Sequence, residues 1–164
     1  MDTKKTKIMD HSYYRLWVHA TFATKNRKPL IVPSVEDKIH RQLSEQLTGL
    51  GCPVRIVNGA PDHVHLQFLQ NPKMALSNTM KQVKGATSHW INQQEFLSDK
   101  FAWQRGYGAF SVSESLSGRV AEYIHRQKER HRKSTFEEEF LILLEKHGLL
   151  EKKEDHKRLN GQDA

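Results

Sequence analysis

The hydrophobic periods along this chain predict an α+β fold: a ferredoxin-like βαββαβ sandwich with an antiparallel sheet, followed by C-terminal helices. Three observations carry the prediction. Apolar residues alternate over 13–24 and then recur every four residues over 35–47, so a strand gives way to a helix. Two β-rich runs, "CPVRIVNG" and "HVHLQFLQ", flank the turn "GAPD" and make a hairpin. A second helical stretch and a further β-like run then repeat the helix-to-strand step.

Each element has its own signals. In "YYRLWVHATFAT", Tyr14, Leu16, Val18, Ala20 and Phe22 share one face, and "NRKP" ends the strand. Ser34 is the expected N-cap of the first helix, with Glu36 and Asp37 in its first turn. Val35, Ile39, Leu43 and Leu47 form that helix's inward stripe, and Gly49 or Gly51 ends it. Pro53 favours the start or an edge of the second strand. The second helix is expected from Ala75 to about Phe96, with Leu76, Met80, Val83, Thr87 and Trp90 inward. "YGAFSVS" reads as the fourth strand. "ESLSGRVAEYIHRQKERHRK" is helical in pattern, and "STFEEEFLILLEKHG" is a last helix with a Ser134–Glu137 capping box and Gly148 at its end. Residues 12–150 form one domain between a flexible N-terminus, 1–11, and a flexible charged tail, 151–164.

Composition narrows the function. The 164 residues carry 26 Lys and Arg against 19 Asp and Glu, a formal charge of +7, which favours a polyanionic partner such as nucleic acid. Cys52 is the only cysteine, so no internal disulfide or thiolate metal cluster forms within one chain, and a reducing compartment fits. Nothing approaches the roughly 20 apolar residues of a membrane span. The chain reads as cytoplasmic, with no membrane partner.

The stretch "DHVHLQF" carries the chemistry. On the third strand Val64, Leu66 and Phe68 point to the helix-covered core, so His63, His65 and Gln67 point to the other face, which is open to a partner, a ligand or the extra C-terminal helices. Two imidazoles at that spacing can chelate one divalent metal. The alternative is two half-exposed histidines on a solvated strand. The first and third strands are central neighbours in this topology, which puts Trp17, His19 and Thr21 on the open face as well. Two histidines make an incomplete site. A candidate third ligand lies in "EYIHRQ", where Tyr123 and Gln127 are four apart on one helical face. A phenol is a poor nucleophile at its ordinary pKa of ~10 and needs a nearby cation and a polarised electrophile. A phosphodiester bound to the metal would be such an electrophile.

Together, the His-hydrophobic-His strand, the Tyr-x3-Gln helix and a small basic βαββαβ domain resemble the HUH single-tyrosine transposases of bacterial insertion sequences, to which the transposases associated with repetitive extragenic palindromes are related. The resemblance runs from about Tyr13 to Gly148 and includes "NGAPDHVHLQF", "FAWQRGYGAFSVSES" and "YIHRQKERHRKSTFEEEFLILLEKHGL". It implies that His63, His65 and Gln127 bind Mg²⁺ or Mn²⁺. It implies that Tyr123, carried on the C-terminal helices, attacks a phosphodiester of single-stranded DNA to leave a 5′-phosphotyrosine and a free 3′-OH. Reversal by another 3′-OH reseals the strand, so no nucleotide cofactor is needed. The resemblance further implies recognition of DNA hairpins near the element ends and a homodimer in which active sites can be shared between subunits. Ligand type alone does not select Mg²⁺, since imidazoles suit Zn²⁺, Ni²⁺ or Mn²⁺ better.

Lys25, Arg27, Lys28, Lys81, Lys84, Arg126, Arg130, Arg132 and Lys133 are candidate phosphate contacts, each weighed against a plain solvated charge. Trp17 is the candidate for stacking on an unpaired base. His19 is a candidate general base by strand parity, and Cys52 has no assigned role. Two other functions stay open: a domesticated HUH nickase acting on repetitive palindromes, and a non-catalytic ferredoxin-like nucleic-acid-binding module. Aromatic pairs on the central strands would favour the module, but those positions hold His63, His65 and Gln67.

Overall fold

A computed structural model describes residues 11–150. The flexible N-terminus, apart from His11, and the charged tail expected from the sequence lie outside the described residues. The element order is β1 (Trp17–Ala23), α1 (Pro33–Gly49), β2 (Val54–Ala60), β3 (His63–Leu69), α2 (Leu76–Gln93), β4 (Gly108–Val112), α3 (Ser117–His125), α4 (Gln127–His131) and α5 (Phe136–Lys146). The four strands form one sheet in the order β2-β3-β1-β4. All three pairings are antiparallel, with β1 and β3 central. This is the expected α+β, ferredoxin-like βαββαβ arrangement with helices appended.

Register explains the two faces. Val18 pairs Phe68, Ala20 pairs Leu66 and Phe22 pairs Val64, and all six are buried in the core with Ile39, Leu43 and Leu47 of α1 and Met80, Val83 and Ile91 of α2. Each such fully buried large side chain contributes about 1.5–3 kcal/mol. Trp103 closes one edge, edge-on to Phe22 and Phe101 at 4.8 and 4.7 Å. The β2–β3 hairpin needs Gly59, where a Cβ would stand 2.2 Å from the His63 carbonyl oxygen. Among the described residues, no helix is long and apolar enough to cross a membrane.

Several local expectations shift. The first strand starts at Trp17, not Tyr13, because its partners end there: Trp17 pairs with Leu69 of β3 and Val112 of β4. Tyr14 and Leu16 are consequently exposed. Helix α1 starts with Pro33 at its first position and Val32 as N-cap, not Ser34, since proline lacks the N–H that a first-turn residue leaves unpaired anyway. It ends as expected, with Gly51 at φ +74°. Ala75 caps α2, which stops at Gln93, and its stripe buries Thr79 and Ile91 while Trp90 is only half-buried, edge-on to Phe96. The capping box of α5 is Thr135–Glu138, one residue on from Ser134–Glu137.

Of the occupants the sequence leaves open for the second face of the sheet, a partner, a ligand or the extra C-terminal helices, it is the helices that cover it. The helical run after β4 breaks at Arg126 (φ −89°, ψ 15°) into α3 and α4, and α5 returns across the sheet. Asn58 of β2 donates to the carbonyls of Ile124 and His125 at 3.0 and 2.9 Å, satisfying orphan acceptors at the end of α3. Gln67 of β3 donates to the Ser117 carbonyl at 2.9 Å, and Arg55 to the Ser117 hydroxyl at 2.8 Å, which pins the start of α3. His63, His65, Gln67 and Thr21 are fully buried as a result.

Candidate active site

Period two on β3 sends both His63 and His65 to the face covered by α3–α5. The turn residue before them orients the first ring: His63 Nδ1 lies 2.7 Å from the Asp62 carboxylate. A carboxylate only accepts, so the proton sits on Nδ1 and the Nε2 lone pair faces inward. Burial opposes the Asp62 charge, but the hydrogen bond from His63, with His131 nearby, holds its carboxyl below the ordinary range. His65 Nδ1 is 2.9 Å from His19 Nε2 of β1, so a single proton lies between the rings. With that proton on His65, its Nε2 also presents a lone pair inward. Burial, with His63 and Arg130 nearby, holds His65 below its ordinary pKa against the opposing pull of Glu139. Burial and then His65 push His19 down to about 3.

The opposing wall comes from three helices. Tyr123 of α3 lies edge-on to His65 and His19, each at 5.8 Å between ring centroids. Gln127 opens α4 and is fully buried, its Oε1 3.3 Å from His63 Nε2. Glu139 of α5 joins them. It accepts hydrogen bonds from the Tyr123 hydroxyl and from Gln127 Nε2, the latter at 2.8 Å. Its Oε2 lies 3.7 Å from His63 Nε2 and 3.8 Å from His65 Nε2. Burial raises the Tyr123 pKa, and the Glu139 carboxylate raises it further, so the phenol is held neutral. Glu139 itself stays ionised: burial opposes its charge, but His65, Tyr123 and Gln127 together outweigh that and draw its pKa well below normal. Arg130 lies over the Tyr123 ring, 4.4 Å from its centroid.

This donor set fits a cation. His65 Nε2 is buried with no hydrogen-bond partner. The Gln127 amide nitrogen is committed to Glu139, so its oxygen faces the His63 lone pair with no hydrogen between them. Buried acceptors left facing one another are costly unless something positive lies among them. Ligand atoms of His63, His65 and Glu139 lie within 4.8 Å of one another. The result is a buried His/Glu group compatible with a divalent metal.

Four expected residues, His63, His65, Tyr123 and Gln127, are thus together, with Arg130 beside them. The other candidates lie apart. Lys25, Arg27 and Lys28 are exposed in the turn after β1, where Arg27 pairs with Glu137 at 2.8 Å. Arg126 pairs with Glu122 at 2.8 Å, and Arg132 and Lys133 are exposed. Lys81 is exposed on α2, on the far side of the sheet. Lys84 donates to the carbonyls of Gln104, Arg105 and Gly106, so its ammonium already holds the loop before β4. Trp17 donates to Glu114 at 2.6 Å, and Arg55 lies over its ring at 5.6 Å. Glu139 and Asp62 were not picked out from sequence. The available signal for Glu139 is its four-residue spacing from Leu143, with which it shares the buried stripe of α5.

Fold and site define a class: an α+β sandwich domain with a tyrosine set against a buried histidine–carboxylate group. The family described as "Transposase IS200 like" matches residues 12–127, and the chain belongs to it. The ISDra2 transposase TnpA of Deinococcus radiodurans is 27% identical over 122 residues, 71% of this chain and 87% of the relative. A solved structure from Deinococcus radiodurans R1, assigned as a transposase, superposes with a TM-score of 0.59 at 26% identity, over 71% of this chain and 93% of that one. A REP-associated tyrosine transposase bound to a REP hairpin shares the fold, with a TM-score of 0.55 at 13% identity over 74% of this chain and 73% of that one. Glu139 lies beyond the residues that the family match spans.

Proposed function

We propose that this transposase cleaves and rejoins single-stranded DNA at insertion-sequence ends, with Tyr123 as nucleophile, and that it recognises subterminal hairpins there. The observation that carries the reading is the convergence of the half-buried Tyr123 with the buried Gln127, His63 and His65 in one cluster of a single chain. The Tyr123 oxygen forms a bond to phosphorus as the bond to the 3′ oxygen breaks. The products are a 5′-phosphotyrosine and a 3′-OH, and attack by a second 3′-OH reverses the step without a nucleotide cofactor. His63, His65 and Gln127 would hold the divalent cation, Mg²⁺ or Mn²⁺ by the family resemblance, with the Glu139 carboxylate as a further oxygen donor. Such a cation, when bound, supplies charge neutralisation for the phosphoryl oxygens.

The chain's own groups divide the remaining work. Asp62 orients His63, and His19 orients His65, as partners of ligating imidazoles do. Glu139 holds the hydrogen bond of the phenol proton and is the acceptor in contact when that proton leaves. Arg130 places positive charge over the ring that must become a phenolate-like nucleophile. Hairpin recognition rests on the resemblance, and on the solved REP-associated relative that is bound to a REP hairpin. The non-catalytic binding module is disfavoured, because helices cover the sheet face that such modules use.

Chelation should abolish cleavage of single-stranded DNA from the element ends, and Mn²⁺ or Mg²⁺ should restore it. His63→Ala should also abolish cleavage while hairpin binding survives. Full activity in chelator would remove the metal from the reading.

A further inference from the structure

A cavity opens beside Tyr123, and His63 is not among its lining residues. It has a volume of about 360 Å³ and lies between the end of β4, α3 and α5, with Tyr123 and His19 among its lining residues. Val112, Val120 and Leu143 make apolar walls. His147, which lines it, is stacked on Phe110 with ring centroids 4.3 Å apart and planes 25° from parallel, so a flat aromatic stack borders the space. Leu116, also a lining residue, is 48% exposed. The charged groups around the cavity are Arg119 and Lys146, and no carboxylate is among its lining residues. An apolar slot with an aromatic border and cationic edges suits a flat ring whose chain on either side is anionic. An unpaired nucleobase has that chemistry, since base–aromatic stacking tolerates any base and cations take the flanking phosphates.

We propose that this cavity is a subsite for the unpaired base next to the phosphodiester that Tyr123 attacks, a role that rests on the single-strand cleavage reading. Insertion of the base would hold the scissile phosphate against the phenol, so binding there positions the substrate. Of its polar lining groups, Ser113 is engaged with Ser115 at 3.1 Å.

The test uses the full chain with methyl-labelled Leu and Val, titrated with the octamer (dT)₈ and with an octamer of abasic residues of equal charge. The expected result is that methyls of Val112, Val120 and Leu143 shift with (dT)₈ and stay in place with the abasic strand. Leu116→Trp, a change at a half-exposed position that leaves the core untouched, should crowd the mouth and weaken (dT)₈ binding about tenfold, the scale of one lost stacked base. Its affinity for the abasic octamer should be unchanged. Shifts confined to other methyls at saturation, or equal shifts with both strands, would overturn the subsite. A covalent Tyr123 adduct formed on element-end DNA while these methyls stay still would leave the cleavage reading intact and reject only the subsite. No shift anywhere together with no Tyr123 adduct on element-end DNA would reject both.

Discussion

Glu139 is the residue on which the resting site turns. Its carboxylate sits opposite two imidazole Nε2 atoms and takes hydrogen bonds from Tyr123 and Gln127. Glu139→Gln keeps the size and one acceptor oxygen but removes the charge. The expected outcome is a fall in Mn²⁺ affinity of the DNA-free protein, by about tenfold or more on the scale of perturbed metal sites, read by calorimetry. Unchanged affinity would assign Glu139 to the phenol alone. His63, His65, Tyr123 and Gln127 could be found from sequence because their spacing is local: two apart on a strand, four apart on a helix. Glu139 could not be found that way. In "FEEEF" it reads as one of three acids suited to a helix N-terminus, and only the seating of α5 on the sheet sends it inward while Glu137 and Glu138 stay exposed. Asp62 was likewise hidden behind its reading as a turn residue.

At the scale of elements, the sandwich and its C-terminal helices were legible, but that these helices, and not a partner or ligand, close the second face was not. Alternation and four-residue stripes depend on one core face, which β1, β3, α1 and α2 all share. The break at Arg126 and the return of α5 depend on contacts with β2 and β3 across the other face, and local periodicity does not encode these. Helix α4 also meets α1, through Lys128 and Glu36 at 3.0 Å. His40 of α1 lies near that pair. Burial holds its pKa below the ordinary 6.5, Lys128 adds to the depression, and Glu36 and Asp37 oppose it. A depressed histidine stays neutral in the fold, while the unfolded chain takes up a proton below 6.5. Stability from this group is therefore present at neutral pH and is lost as pH falls below about 6.5. His40→Gln should flatten the acid-side decline of the urea midpoint between about pH 7 and 5. An identical pH slope in the variant would deny His40 that part.

For the whole molecule, net charge and topology act together. The family match covers β1 to the start of α4, and the formal charge of +7 belongs to the full chain. Binding to single-stranded element ends should weaken steeply with salt, with log affinity falling by about 0.7 per phosphate contact. Fluorescence anisotropy across a salt series measures that slope, and a flat line would remove DNA as the main polyanion. The most direct test of the central claim is peptide mapping by mass spectrometry after the protein has reacted with element-end single-stranded DNA and Mn²⁺. The account predicts a DNA adduct on the peptide that contains Tyr123, and none with Tyr123→Phe, a variant that keeps the ring packed against His65 and loses only the hydroxyl. An adduct that persists in Tyr123→Phe, or cleavage that leaves a free 5′-phosphate and no adduct, would contradict it.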